Sequence, residues 1–172
     1  GQLVLVFRRQ GLEPTKMPLT QRHHLLDTLN DTQVLVDLDL YSQSEEISYI
    51  QQKGYSIPTI ISYHNYEKTP EQSELDNIVQ QIRKINPTIL KIATNCQNKK
   101  DALRLLNLLV SLKDRGDRCI VLGMGKMGAI TRIFGSIWGN ELLFAPDMPE
   151  NASAPGQLTR KQLDNIVQTI GE

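Results

Sequence analysis

Two strand-like runs carry side chains suited to acid-base and carbonyl chemistry. His64 lies in P-T-I-I-S-Y-H-N-Y, which starts at Pro58, and Lys91 lies in P-T-I-L-K-I-A, which starts at Pro87. An imidazole, with a reference pKa of about 6.5, accepts and returns protons near neutrality. A primary amine, once neutral, attacks carbonyl carbons. Two-residue alternation puts Ile60, Ser62 and His64 on one strand face, and Ile89, Lys91 and Ala93 on one face of the next. A histidine at a strand end is equally compatible with a purely structural polar role. An ammonium in the middle of an apolar strand is costlier filler, because it must be desolvated.

Other charged residues share this inward direction. Arg8 follows Val4 and Val6 on the face of the first strand, and the run V-L-V-D-L-D-L places Asp37 and Asp39 together. One basic group and two carboxylates in a buried space could form a structural ion-pair network. As a functional set they would orient an imidazole and hold the charge state of a nearby amine.

The glycine run from Gly123 to Gly128, G-M-G-K-M-G, has the spacing G-x-G-x-x-G. It is not at the first strand and it does not end in G-K-[ST], so a nucleotide-binding reading is weak. A tight strand-to-helix loop with close backbone approach accounts for these glycines.

The surrounding elements must position these groups. Short β-branched runs separated by helix-length segments are the pattern of parallel β-α-β units. Strands are expected at 3–7, 34–40, around 58–64, around 87–93, at 119–122 and at 142–145. Helices are expected at 20–30 with Thr20 as N-cap, at 44–53 ending on Gly54, after Thr69-Pro70-Glu71 with Pro70 in the first turn, at 99–113, from about 129, and at 162–170. Six strands alternating with six helices give an α/β chain with a parallel sheet, either open and doubly wound or a (β/α) barrel. Polar residues facing inward from successive strands favour the barrel, although eight units ordinarily take about 250 residues.

Composition narrows the partners. The 172 residues carry 19 basic and 19 acidic side chains, interspersed, and this balance supports neither a nucleic-acid surface nor an anionic-membrane surface. No apolar run approaches the roughly 20 residues needed to cross a bilayer, and the first strand does not read as a signal peptide. Cys96 and Cys119 alone suggest neither a disulfide framework nor a metal knuckle, so a reducing, cytoplasmic setting is expected.

Four motifs in order carry a specific resemblance. M-G-K-M-G-A-I-T-R, from Met124 to Arg132, is similar to the M-G-x-x-G-x-x-[ST]-R signature of type I 3-dehydroquinate dehydratases, and S-A-P-G-Q, from Ser153 to Gln157, matches the family's lid motif. S-Y-H-N-Y around His64 resembles its catalytic histidine segment, and L-K-I-A around Lys91 its Schiff-base lysine strand. The resemblance implies a (β/α)8 TIM barrel and a lyase of the shikimate pathway of aromatic biosynthesis, converting 3-dehydroquinate to 3-dehydroshikimate. It implies that Lys91 forms the imine and that His64 is the general base and then the general acid. Arg132 and Arg8 would contact the substrate, with Arg132 on its carboxylate, while Ser153 and Gln157 close over it. No metal or redox cofactor is required. A homodimer, and fusion to or association with shikimate dehydrogenase, are compatible with the family.

Two departures qualify the resemblance. The chain reads as about the last six of eight β/α units, an incomplete barrel over residues 1–172, whereas the family's first two strands hold an inward glutamate and arginine. The loop R-Q-G-L-E-P, from Arg9 to Pro14, stands where the family has an acid followed by paired glycines; Glu13 would substitute for that acid. The alternatives are a catalytically inactive barrel fragment or remnant and a class I aldolase-like Schiff-base enzyme. On the fragment reading, the chain alone is expected to be inactive or severely impaired.

Overall fold

Hydrogen bonding in register joins five parallel strands into one sheet with the order β1-β2-β3-β4-β5. The computed structural model describes residues 3–7, 15–151 and 157–171. The strands are β1 (Val4–Val6), β2 (Leu35–Asp39), β3 (Thr59–Asn65), β4 (Ile89–Asn95) and β5 (Cys119–Met124). They alternate with α1 (Leu19–Leu29), α2 (Ser44–Lys53), α3 (Gln72–Ile85), α4 (Lys99–Asp114), α5 (Gly125–Trp138) and α6 (Arg160–Gly171). A doubly wound sheet reverses its strand order at a switch point. This order runs straight through, as in a (β/α) barrel.

Side-chain alternation sorts the strands into two faces. Val36, Leu38, Ile61, Tyr63, Leu90, Ile92 and Val121 pack under the helices with Leu26, Ile47, Leu75, Ile82, Leu105 and Leu109. The opposite face forms a smaller apolar cluster of Leu35, Ile60, Ile89, Ala93, Ile120, Leu122 and Met124. Asp37, Asp39, Ser62, His64 and Lys91 share the alternation phase of this second face, as the sequence pattern predicts.

Helix ends follow local chemistry. Gly54 stops α2 in the left-handed region at φ 64°, and its N–H bonds the carbonyls of Gln51 and Ile50. Asn98 and Asp101 form a capping box on α4. Two expectations are corrected. Thr20 lies inside α1, whose cap position is Pro18, and Pro70 lies before the Glu71 cap of α3 rather than in its first turn.

Two further corrections concern β5. The segment 123–128 is not a loop: β5 runs through Met124, and α5 begins at Gly125, at φ 76°. The expected close approach is present, since a Cβ on Gly128 would lie 2.4 Å from the carbonyl carbon of Gly123. The expected strand at 142–145 does not form: the segment has no regular secondary structure and lies outside the ladder. Its place along β5 is taken by the Asn140 side chain, which accepts from Val121 N–H at 2.8 Å and donates to Val121 C=O at 3.1 Å. Glu141 N–H adds a bond to Cys119 C=O. Among the described residues no helix is long and apolar enough to cross a membrane.

Candidate active site

Strands β2, β3 and β4 bring four ionisable groups together on the inner face. Parallel register places Asp39 opposite Ser62, and Ser62 opposite Lys91. Lys91 Nζ donates to Asp37 Oδ2 at 2.8 Å, and Ser62 Oγ donates to Asp37 Oδ1 at 2.7 Å. The Lys91 side chain is 8% exposed and that of Asp37 1%. An ammonium at such depth is costly unless paired, and the carboxylate supplies that pairing.

The second pair is His64 and Asp39, with Nδ1 and Oδ2 3.0 Å apart. The other carboxylate oxygen of Asp39 accepts from Ser42 Oγ and from the N–H groups of Tyr41 and Ser42, a turn that locks the acid at the end of β2. Gln43 Oε1 accepts the Asp39 N–H. Burial pushes the Asp39 carboxyl up. Hydrogen bonds from His64 and Ser42 outweigh it and hold the group below the ordinary carboxylate range. The contact at Nδ1 with Asp39 fixes the orientation of the imidazole ring. The two expected carboxylates therefore divide between the amine and the imidazole.

Arg132 reaches the same face from α5. It is buried beside Leu122, Leu142, Phe144 and Leu163. Its Nε lacks a hydrogen-bond partner, and burial pushes the guanidinium pKa down to about 10, leaving it a cation at neutral pH. The close contact of Gly123 with Gly128 allows α5 this approach. Thr131 fastens it by accepting from Gly123 N–H at 2.6 Å and donating to Gly128 C=O at 2.7 Å.

Gln157 lies at this end of the structure, and its Nε2 donates to Phe144 C=O at 3.2 Å. Arg8, Ser153 and Glu13 lie outside the described residues. Phe144 was not singled out by the sequence, since it sits in an apolar run read as a strand. Its ring centroid is 4.3 Å from Lys91 Nζ.

The arrangement offers a buried amine on a carboxylate, an imidazole oriented by a second carboxylate, and a buried guanidinium suited to an anion. Comparison with known proteins places the chain in a family. The model of the family described as type I 3-dehydroquinase matches residues 3–172. A 3-dehydroquinate dehydratase of Methanococcus maripaludis (strain C7) is 40% identical over 138 residues, covering 79% of this chain and 61% of that protein. The crystal structure of 3-dehydroquinate dehydratase from Geobacillus kaustophilus superposes with a TM-score of 0.83, at 23% identity, over 99% of this chain and 68% of that one, a likeness of fold. The type I 3-dehydroquinate dehydratase from Clostridium difficile, solved with covalently modified comenic acid, gives a TM-score of 0.79 at 27% identity over 98% of this chain and 68% of that one. The chain thus spans 61% of the Methanococcus relative's length, and it belongs to the type I 3-dehydroquinase family.

Proposed function

We propose that this chain carries the reacting groups of a lyase that dehydrates 3-dehydroquinate to 3-dehydroshikimate through an imine at Lys91. The observation that carries this reading is the buried Lys91–Asp37 pair, with the His64–Asp39 pair beside it on the same sheet face. Asp37 accepts the ammonium proton as Lys91 becomes nucleophilic. The amine nitrogen bonds to the ketone carbon, the carbonyl oxygen leaves as water, and a protonated imine remains. That cation draws electrons from the adjacent C–H bond, so His64 can take the proton and leave an enamine. The enamine expels the β-hydroxyl, which leaves as water with the proton His64 returns. Hydrolysis of the conjugated imine then frees Lys91, and the net change is loss of one water.

Arg132 holds the substrate carboxylate in this scheme, because a guanidinium fork matches a planar carboxylate and the site otherwise leaves its Nε unsatisfied. Gln157 closes the ligand in from the Phe144 side, with Arg8 and Ser153 as further contacts. Incubation with dehydroquinate and borohydride tests the reading: a reduced adduct should appear on the peptide bearing Lys91, and be absent from K91A. An adduct on Lys126, or none, sinks it.

A further inference from the structure

We propose that the Phe144 ring is a further catalytic group, a cation-binding cap on the Lys91 nitrogen that favours the protonated imine. The inference rests on Lys91 being the imine-forming amine, and it starts from geometry. The ring centroid stands 4.3 Å from Nζ, while Asp37 Oδ2 takes one N–H of the same nitrogen at 2.8 Å. A nitrogen placed between a carboxylate and an aromatic face is favoured as a cation.

The two partners respond differently to the reaction. The resting ammonium has three N–H bonds to offer acceptors, and the protonated imine has one. Hydrogen bonding therefore weakens as the imine forms, whereas attraction to a π face depends on positive charge and needs no N–H. The ring supports the nitrogen in a cationic state that has fewer N–H groups to give the carboxylate. Its position is built rather than incidental: Gln157 Nε2 bonds the Phe144 carbonyl, and the ring lines the recess that holds Arg132, Leu142 and Leu163. Other titratable groups facing this space are Asp39 on β2, His64 on β3 and Arg132 on α5. Of these only His64 carries an aromatic ring, and its imidazole is engaged by Asp39 and stacked on Tyr66.

The test compares the parent chain with F144L, F144W and a protein carrying pentafluorophenylalanine at position 144, whose ring keeps its shape but loses the electron-rich face. Two readouts are taken on folded protein: the fraction of Lys91 trapped by borohydride at saturating dehydroquinate, and the rate of Lys91 acetylation by acetic anhydride at fixed pH without substrate. Loss of the π face should lower trapping by about three- to thirtyfold, the range of an exposed to desolvated cation–π contact. It should raise acetylation, since neutral amine becomes more available, while F144W stays near the parent in both. Parent-like trapping in the leucine and fluorinated proteins overturns the proposal. If the parent itself traps nothing, the dehydratase reading fails separately. Acetylation then decides this one, and equal rates in parent and fluorinated protein overturn it.

Discussion

Lys91 binds Asp37 across a diagonal of the sheet rather than along its own register row. Its row runs through Ser62 to Asp39, whereas Asp37 stands opposite Ile60, one inward layer lower. The long lysine stem reaches down to that layer, and Ser62, between them, donates to the same carboxylate. Asp39 is left at the strand end for His64. An offset of two residues, one inward layer, thus keeps the amine and the imidazole on separate carboxylates, so each has its own proton partner.

D37N should destabilise the fold by about 3 kcal/mol near neutrality, since it leaves a buried ammonium without its counter-charge. A lysine whose charged form is disfavoured on folding gives up a proton, so the unfolded state binds more protons and stability rises with pH. Urea denaturation should therefore show the D37N deficit shrinking from pH 6 to pH 9. D37N/K91M, with both charges gone, should recover most of the loss. A deficit that is independent of pH and not rescued would mean Asp37 acts only through Ser62.

The alternation of V-L-V-D-L-D-L and I-I-S-Y-H made the inward face legible, and it placed Asp37, Asp39, His64 and Lys91 on that face from spacing alone. Which carboxylate meets which base was not legible, because the diagonal depends on strand register, and register arises between strands far apart in the chain. The expected strand at 142–145 failed for a different reason. Periodicity cannot show that an asparagine side chain fills the ladder positions of Val121 in place of backbone. The glycine run hid a helix start, because Gly125 and Gly128 lower helix propensity, while the positive φ of Gly125 and the close contact of Gly128 with Gly123 require them.

Acid should destabilise the parent more steeply than D39N. The folded-state pKa of Asp39 is depressed, so its contribution is fully present above the unfolded value of about 3.9 and is lost as pH falls through the lower folded value. Thermal melts from pH 6 downward should converge for the two proteins at the acid end. Turnover in D39N should also fall, because the amide no longer fixes the imidazole orientation. Parallel acid limbs would show that Asp39 contributes no such linkage.

G128A should shift the start of α5 away from β5. The new Cβ would meet backbone 2.4 Å away, with no flexible side chain to yield, at an overpacking cost of about 1–3 kcal/mol. Arg132 lies four residues on along the same helix, so ligand affinity should drop as well. G116A is the control: its φ of 81° is strained for alanine, but nothing lies within 4 Å of the added atom. It should lose stability and keep affinity. Unchanged affinity in G128A would separate the glycine contact from the positioning of Arg132.

R132M should stabilise the protein while weakening its hold on carboxylate ligands. The guanidinium is buried with Nε unsatisfied and has no ion-pair partner among the described residues, so the folded chain bears a desolvation cost that an apolar side chain of similar length avoids. Replacing buried charge with well-packed apolar groups is often neutral or stabilising by about 1–4 kcal/mol. The same change removes a charge-assisted bond worth roughly 1.5–3 kcal/mol, a loss of about tenfold to a few hundredfold in affinity for dehydroquinate or a product-like carboxylate. R132K keeps a cation but not the fork, so its affinity should fall between the two. Denaturation and calorimetric titration on the three proteins separate the roles. A less stable R132M with unchanged carboxylate affinity would show that the guanidinium serves the fold and not the ligand.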